Sequence, residues 1–337
     1  MINVAVIGCG RWGPNHIRNL NSLPGSRVAV AIDTDRARLS RVSELFPEIR
    51  VDTDVSAAFT DAIDAVVVAT PTSTHHGVVR QALLAGKHVL CEKPLCETSV
   101  LAQELTELAL SRRLVLMVGH VFLFNDGIGK LKELVDAGDL GKLQHLSAVR
   151  TNLGPIRQDV NAALDLATHD IAIFNWILGA VPELASAVGA SFLQPGVEDV
   201  VSISLRYPGG IFANIQASWL SPKKVRQITA VGTKRMVTWD DLDLSTPIAI
   251  YESGAETKQE YSDYGEFLRV TTWDGDVRLP KVNFQEPLKA QARAFVEAVG
   301  SGTVSRSDGP FSLGVVRVLD AITRSLAENG ALVKVPS

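Results

Sequence analysis

The apolar run Asn3-Val4-Ala5-Val6-Ile7 breaks off at Gly8-Cys9-Gly10-Arg11-Trp12-Gly13, and a helix-compatible stretch starts at Pro14. A strand that passes into a helix through three glycines at this spacing restricts the fold sharply. The first glycine allows a tight turn, the second lets the backbone approach a pyrophosphate, and the third lets helix and strand pack closely. The helix N-terminus adds free N–H groups and the positive end of a dipole. Asp33 closes the next apolar run, twenty residues after Gly13. A carboxylate there can bond the ribose hydroxyls of an adenosine. Gly8, Gly10, Arg11, Trp12, Gly13 and Asp33 are therefore the first candidate cofactor-binding residues. Asp33 favours NAD, because it would repel the 2′-phosphate of NADP. Arg36 and Arg38 are the counter-argument, since a guanidinium can hold that phosphate. Their simpler reading is as exposed basic residues on a surface helix.

The rest of the first 120 residues repeats the alternation. Strands are expected over 27–32, 65–69, 88–91 and 114–118, and helices over 14–23, 35–46, 74–84 and 98–110. Short β-branched runs alternating with helices mean parallel strands with crossover connections. A single core rarely outgrows roughly 250–300 residues, so 337 residues imply two domains. The pattern changes near residue 120. A helix over 126–137 and a strand over 143–150 lead to an amphipathic helix over 165–178. Strands with period-2 alternation follow over 200–207, 211–218, 226–231 and 235–239, joined by turn clusters such as Tyr207-Pro208-Gly209-Gly210. The expectation is an α/β doubly wound Rossmann domain over 1–122. An α+β domain with a large, mostly antiparallel open-faced sheet covers 123–337. Residues 253–281 are the least regular stretch and read as strands and loops at an edge, and the closing helices over 287–299 and 311–328 have the option of packing back on the first domain.

Composition removes other classes. Hydrophobic residues are 46% and charged residues 21%, with 33 Lys+Arg against 37 Asp+Glu, which is ordinary for a globular enzyme. The mild acidity, with no basic stripe, argues against nucleic acid. No apolar run approaches the ~18 residues of a membrane span, and the start lacks the marks of a signal peptide. Three cysteines, Cys9, Cys91 and Cys96, without metal spacing fit a reducing cytoplasm and neither a disulfide framework nor a metal site.

In a doubly wound sheet, ligands lie beyond the carboxyl ends of the strands. Thr70-Pro71-Thr72-Ser73-Thr74-His75-His76 follows one buried strand and Cys91-Glu92-Lys93-Pro94 the next. Thr70, Pro71, Thr72 and His75 are thus expected to border the cofactor. The fingerprint, the Thr-Pro-x-x-x-His loop and Glu-Lys-Pro together resemble the Gfo/Idh/MocA family of NAD(P)-dependent oxidoreductases, over nearly the whole chain. That resemblance implies that Glu92 touches the nicotinamide-side ribose and that Lys93 lies between cofactor and substrate. It also implies an open-faced sheet used in subunit contacts, hence a homodimer or homotetramer.

Asp165 and His169 are four apart and so share a helix face. A carboxylate beside an imidazole fixes its tautomer and raises its basicity. The bland alternative is an acidic first turn and a satisfied core histidine. The pair matches the family's Asp-x-x-x-His, in which the histidine accepts the proton. Catalytic residues by this reading are Lys93, His169 and Asp165, with Lys93 and His169 able to exchange roles. The glycines that many sugar-oxidising members carry before the Asp and the His are absent here. The segment from Arg150 to Asn161, followed by Asp165-Leu166-Ala167-Thr168-His169-Asp170, looks more like the nucleotide-sugar branch. That branch includes the UDP-N-acetylglucosaminuronate 3-dehydrogenases of surface-polysaccharide synthesis. The substrate set expected is Lys93, Arg157, Asn161, Asp165 and His169, with Arg157 clamping a carboxylate or, more blandly, pairing with Asp159. The function expected is NAD-dependent oxidation of C3 of a UDP-N-acetylhexosaminuronate. The alternatives are a dehydrogenase or ketoreductase of a simple sugar or inositol, and a non-catalytic cofactor-binding sugar sensor.

Overall fold

A computed structural model describes residues 1–157, 160–262, 265–304 and 306–336, with backbone only for 256–262 and 265–269. The chain divides into two compact units, residues 1–125 with 285–320, and residues 126–284 with 321–337.

The first unit is a six-stranded parallel sheet. Along the chain it runs β1 (Ile2–Ile7), α1 (Gly13–Asn21), β2 (Ser26–Ile32), α2 (Arg36–Leu45), β3 (Arg50–Asp52), β4 (Ala65–Val68), α3 (Thr72–Leu84), β5 (His88–Cys91), α4 (Ser99–Ser111) and β6 (Leu116–Val118). The strand order is β3-β2-β1-β4-β5-β6, the doubly wound order with its switch point between β1 and β4. Residues 65–68 are all fully buried. A central parallel strand is covered on both faces, which is why it reads as an unbroken apolar run rather than an alternation. Asp35 caps α2 by accepting from the Ala37 N–H at 2.8 Å, and Pro47 stops that helix at Phe46. Strand β3 was not expected. It is three residues long and polar-flanked, too short for periodicity to show.

The second unit opens with α5 (Asp126–Asp136) and β7 (Leu143–Leu153). A π-turn (Ala163–Ala167) then leads directly into α6 (Thr168–Leu178). Next come β8 (Leu184–Ala190), β9 (Val200–Arg206), β10 (Phe212–Ser218), β11 (Leu220–Gly232), β12 (Met236–Asp240), β13 (Ile248–Tyr251), β14 (Gly254–Ser262), β15 (Gly265–Trp273) and β16 (Val277–Arg278). Two helices, α7 (Pro287–Ser301) and α8 (Gly309–Ala327), and a short β17 (Val333–Lys334) end the chain. Nine strands form one sheet, in the order β16-β13-β12-β11-β7-β10-β9-β8-β17.

The sheet is mostly antiparallel, as expected, and β7–β10 pair in parallel. The connection between them passes through α6, β8 and β9, so it is a crossover rather than a hairpin. The helix over 165–178 is not amphipathic: α6 is buried nearly all round, from Thr168 through Ile177, and its first turn is a π-turn. Within residues 253–281, β14 and β15 pair as a two-stranded sheet of their own, and β16 forms an edge of the nine-stranded one. Residues 285–320 fall with the nucleotide fold. There α7 lies against α1, Glu286 accepts from Asn19 at 3.0 Å, and Val118 N–H donates to Ser307 O at 2.8 Å beyond β6.

Ile203, Leu205 and Ile215 lie buried on one face of the second sheet, and Trp219, just past β10, is buried too. The more exposed face carries Ser202, Ser204, Asn214 and Gln216, with Phe212 at one end. The apolar set of an alternating strand belongs to the core, and Ala148, Ile203 and Ile215 stand on it together.

Candidate active site

In the first unit, the turn after β1 is shaped for a close approach. Gly8 has φ +94°, and a Cβ there would come within 2.5 Å of Ala69 O. At Gly13 a Cβ would lie 2.1 Å from Gly8 O. At Gly10 the nearest atom to an added Cβ is Arg38 Nη1, at 3.8 Å. Trp12 is the N-cap residue of α1 and makes no side-chain cap bond, so no cap side chain competes with an anion for the first-turn N–H groups. Arg11 stacks on the Trp12 ring at 5.8 Å. Asp33 is buried, and it accepts from the Cys9 N–H at 2.7 Å and the Asp35 N–H at 2.9 Å. Arg38 reaches it at 3.5 Å. A cleft of about 380 Å³ opens over Gly10, bordered by Arg11, Arg38, Arg41 and Leu45. Glycine turn, helix end and acidic β2 terminus fit a dinucleotide. Arg38 and Arg41 border this cleft, whereas Arg36 does not line it.

The next loop serves more as a brace than expected. Helix α3 begins at Thr72, which is buried, with Pro71 as its N-cap residue. Thr70 Oγ1 accepts from Thr74 Oγ1 at 2.7 Å. His75 is buried, with one ring nitrogen 2.9 Å from Thr70 O and the other 2.9 Å from Pro94 O. Burial holds its pKa below the ordinary value, although both carbonyls favour a protonated ring. His75 thus ties the loop after β4 to the turn after β5.

Glu92 and Lys93, both half-buried, follow β5, and the Lys93–Pro94 peptide is cis. The Glu92 carboxylate meets His16 Nε2 on α1 at 2.7 Å. Burial raises its pKa, but the His16 hydrogen bond and charge, with Lys93, outweigh that and hold the carboxyl below its ordinary range. Glu92 therefore links the turn that carries Lys93 to the helix that starts at the glycine turn. A Cβ on Gly119 would come 3.0 Å from Glu92 Oε2, so the chain after β6 lies directly against this carboxylate. His16, Gly119 and His120 were not singled out in the sequence. The signal for the last two was their place just past the carboxyl end of a parallel strand.

In the second unit, the head of α6 gathers the remaining candidates. Asn161 caps the π-turn by accepting from the Leu164 N–H at 3.0 Å, and its amide donates to Glu198 at 2.7 Å. It is a brace in this geometry. Asp165 accepts from Trp219 Nε1 at 3.2 Å and from Arg157 Nη1 at 3.4 Å. The pairing with Asp159 lies outside the described residues. His169 follows in the first turn of α6, half-buried. One residue on, Asp170 is buried and takes both Arg150 Nε and Nη2 at 2.8 Å. Trp219 was the missed partner of Asp165. Among the described residues, no group of three or more His, Cys, Asp or Glu is placed to hold a metal ion, and no helix is long and apolar enough to cross a membrane.

Comparison with known proteins covers both units. Residues 2–120 match the oxidoreductase family with NAD-binding Rossmann fold, and residues 128–238 match the GFO/IDH/MocA C-terminal domain. An inositol 2-dehydrogenase of Saccharopolyspora erythraea is 32% identical over 225 residues, 64% of this chain and 66% of that protein. A second inositol 2-dehydrogenase, of Paenarthrobacter aurescens, is 27% identical over 99% of this chain and 98% of its own. Among solved structures, the UDP-N-acetylglucosamine 3-dehydrogenase of Acidithiobacillus ferrooxidans superposes with a TM-score of 0.81 at 26% identity, covering 97% of this chain and 98% of that one.

Proposed function

The chain belongs to the GFO/IDH/MocA family of NAD-binding oxidoreductases, and from that premise we propose that it oxidises the C3 hydroxyl of a UDP-N-acetylhexosaminuronate. When bound, NAD supplies the hydride acceptor for a CH–OH group. The chain's own residues then have two tasks: to take the hydroxyl proton and to stabilise the oxygen as charge develops on it. His169 takes the proton in this reading. Asp165, steadied by Trp219 and Arg157, directs the imidazole. Lys93 supplies the positive charge at the substrate oxygen. Glu92, braced by His16, holds the turn that carries Lys93. The substrate assignment rests on one observation: an arginine, Arg157, stands beside the carboxylate of the proposed catalytic pair, where it can engage a uronate.

A second reading is oxidation of a cyclitol. It is favoured by the 32% identity with a protein named for inositol oxidation, and by the Arg157–Asp165 contact, which already occupies part of the guanidinium. A sensor without turnover has no such support, because Lys93, Asp165 and His169 are all retained. The deciding experiment follows NADH absorbance with UDP-N-acetylglucosaminuronate, UDP-N-acetylglucosamine and myo-inositol. The uronate is expected to be strongly preferred. Preference for myo-inositol overturns the nucleotide-sugar assignment and leaves the dehydrogenase assignment standing. A homodimer or homotetramer is part of the proposal, built on the polar sheet face with Phe212 at its end. A monomer in light scattering at micromolar concentration would overturn that part.

A further inference from the structure

His120 is an anomalous polar group in the first unit. It is 2% exposed, and neither ring nitrogen has a hydrogen-bond partner. Such a group in a packed interior calls for an explanation, because a leucine or phenylalanine would fill the space without unmet polar atoms. Its place supplies one. Strands β5 and β6 pair with Cys91 opposite Val118, and the Gly119 N–H donates to Cys91 O at 2.7 Å. The two strands therefore leave the sheet together, with Glu92 against Gly119 and Lys93 near enough for its charge to act on His120. Glycine at 119 is what lets the chain lie this close to the Glu92 carboxylate, since a Cβ would press on it.

The surroundings restrict the ring further. Phe311 of α8 packs edge-on against it, with centroids 6.0 Å apart. The charges that act on it are Lys93 and, in the opposite sense, Glu92. Glu92 is already engaged by His16. Burial, followed by the Lys93 ammonium, pushes the His120 pKa down to about 3. The ring is then neutral at working pH and keeps one lone pair that an ammonium hydrogen can meet. A lysine side chain reaches a neighbouring acceptor by a change of rotamer, and catalytic hydrogen bonds are commonly long before the reactants are in place.

We propose that His120 is a positioning residue for Lys93: its imidazole accepts one ammonium hydrogen and so directs the remaining ones at the substrate oxygen. The proposal rests on the reading of Lys93 as the group that holds that oxygen. It explains why a buried position beside the Glu-Lys-Pro turn is a histidine rather than an apolar residue. It also divides labour between two histidines, since His16 fixes Glu92 and His120 fixes Lys93.

The test uses the full chain with histidine ring nitrogens labelled with ¹⁵N and NAD bound. The His120 signal is assigned by its loss in His120→Asn. Between about pH 5 and 8 the ring is expected to stay neutral in one tautomer, and Lys93→Met is expected to move the resonance of the accepting nitrogen. A His120 signal indifferent to Lys93→Met overturns the proposal whatever the substrate proves to be. Kinetics with UDP-N-acetylglucosaminuronate add a second arm. His120→Phe is expected to lower kcat by about tenfold while NAD affinity, read by NADH fluorescence, stays within roughly twofold, and His120→Asn is expected to recover part of the loss. In a Lys93→Met background, His120→Phe should cost nothing further. Equal losses of NAD affinity and kcat would make His120 a packing element of the cofactor site and sink the idea. If Lys93→Met itself retained normal turnover, the role given to Lys93 would fail, while the NMR result would still decide whether His120 and Lys93 meet.

Discussion

Asp165 and Asp170 stand five residues apart at the head of α6, and each meets an arginine from or just beyond β7. Arg150 and Asp170 are 3% and 1% exposed and share two hydrogen bonds of 2.8 Å. Arg157 and Asp165 are 30% and 18% exposed and share one contact of 3.4 Å. The residue types are the same and the physics is not. The first pair is desolvated and bidentate, with each charge relying on the other. The second is a wet, long contact that a substrate carboxylate can compete for at small cost. The lesson is that burial and geometry, not residue identity, separate a lock from a working group on the same helix.

The largest effect should come from breaking the lock. Asp170→Ala or Arg150→Ala leaves an uncompensated buried charge, which costs about 3–5 kcal/mol. Urea unfolding should show this as a lowered midpoint at unchanged slope. Arg157→Ala should cost at most about 1 kcal/mol. If the two arginine variants lose equal stability, the contrast between the pairs is not real. Next in size is the chemistry. His169→Ala and Lys93→Ala are each expected to lower turnover by at least about a hundredfold, the scale of a positioned acid–base group. NAD binding to the His169 variant should survive, because the glycine turn and Asp33 lie in the first unit. Near-normal turnover of His169→Ala would remove it as the base.

A third effect is a stability slope in acid. His120 has its folded pKa held near 3, below the ordinary 6.5, chiefly by burial. Below the ordinary value the unfolded chain binds a proton that the folded chain does not. This part of the stability is therefore present above pH 6.5 and falls with pH by up to about 1.4 kcal/mol per unit until the folded pKa is reached. His120→Phe should flatten the slope over that window. An unchanged slope would mean that the ring charges in the folded protein.

Much of the first unit was legible because its signals are local. The glycine spacing, the unbroken 65–68 run and the Asp35 cap each sit within a few residues of what they determine. The site partners were less so. His16 meets Glu92 across 76 positions of chain, and Trp219 meets Asp165 across 54; no periodicity reports such pairs. The π-turn over 163–167 has no sequence signature of its own, so the head of α6 was read as ordinary helix. Ile203, Leu205 and Ile215 are a case of another kind. Their alternation with Ser202, Ser204 and Asn214 is visible in the sequence, but alternation alone does not say which face the rest of the domain covers.

A third arginine–aspartate pair extends the series to its weakest member and bears on the cofactor. Arg38 is about half exposed and 3.5 Å from the buried Asp33. It also lies near Asp35, at 3.4 Å. Asp33 is held chiefly by the Cys9 and Asp35 N–H groups rather than by Arg38. Its carboxylate therefore stays at the end of β2 whether or not the guanidinium remains, and should keep NAD ahead of NADP by repelling a 2′-phosphate. Arg38 and Arg41, both bordering the cleft over Gly10, act in the other direction and should keep that preference modest. Arg38→Ala is expected to leave NAD affinity within about threefold and to weaken NADP by roughly tenfold, the scale of one lost charge-assisted phosphate contact. Titration of both cofactors by NADH and NADPH fluorescence reads the two numbers. Tighter binding of NADP than of NAD by the unmodified protein would mean that Arg38 has captured the phosphate and that Asp33 does not set the choice. Equal losses for both cofactors in Arg38→Ala would make the arginine a wall of the cleft with no part in the discrimination.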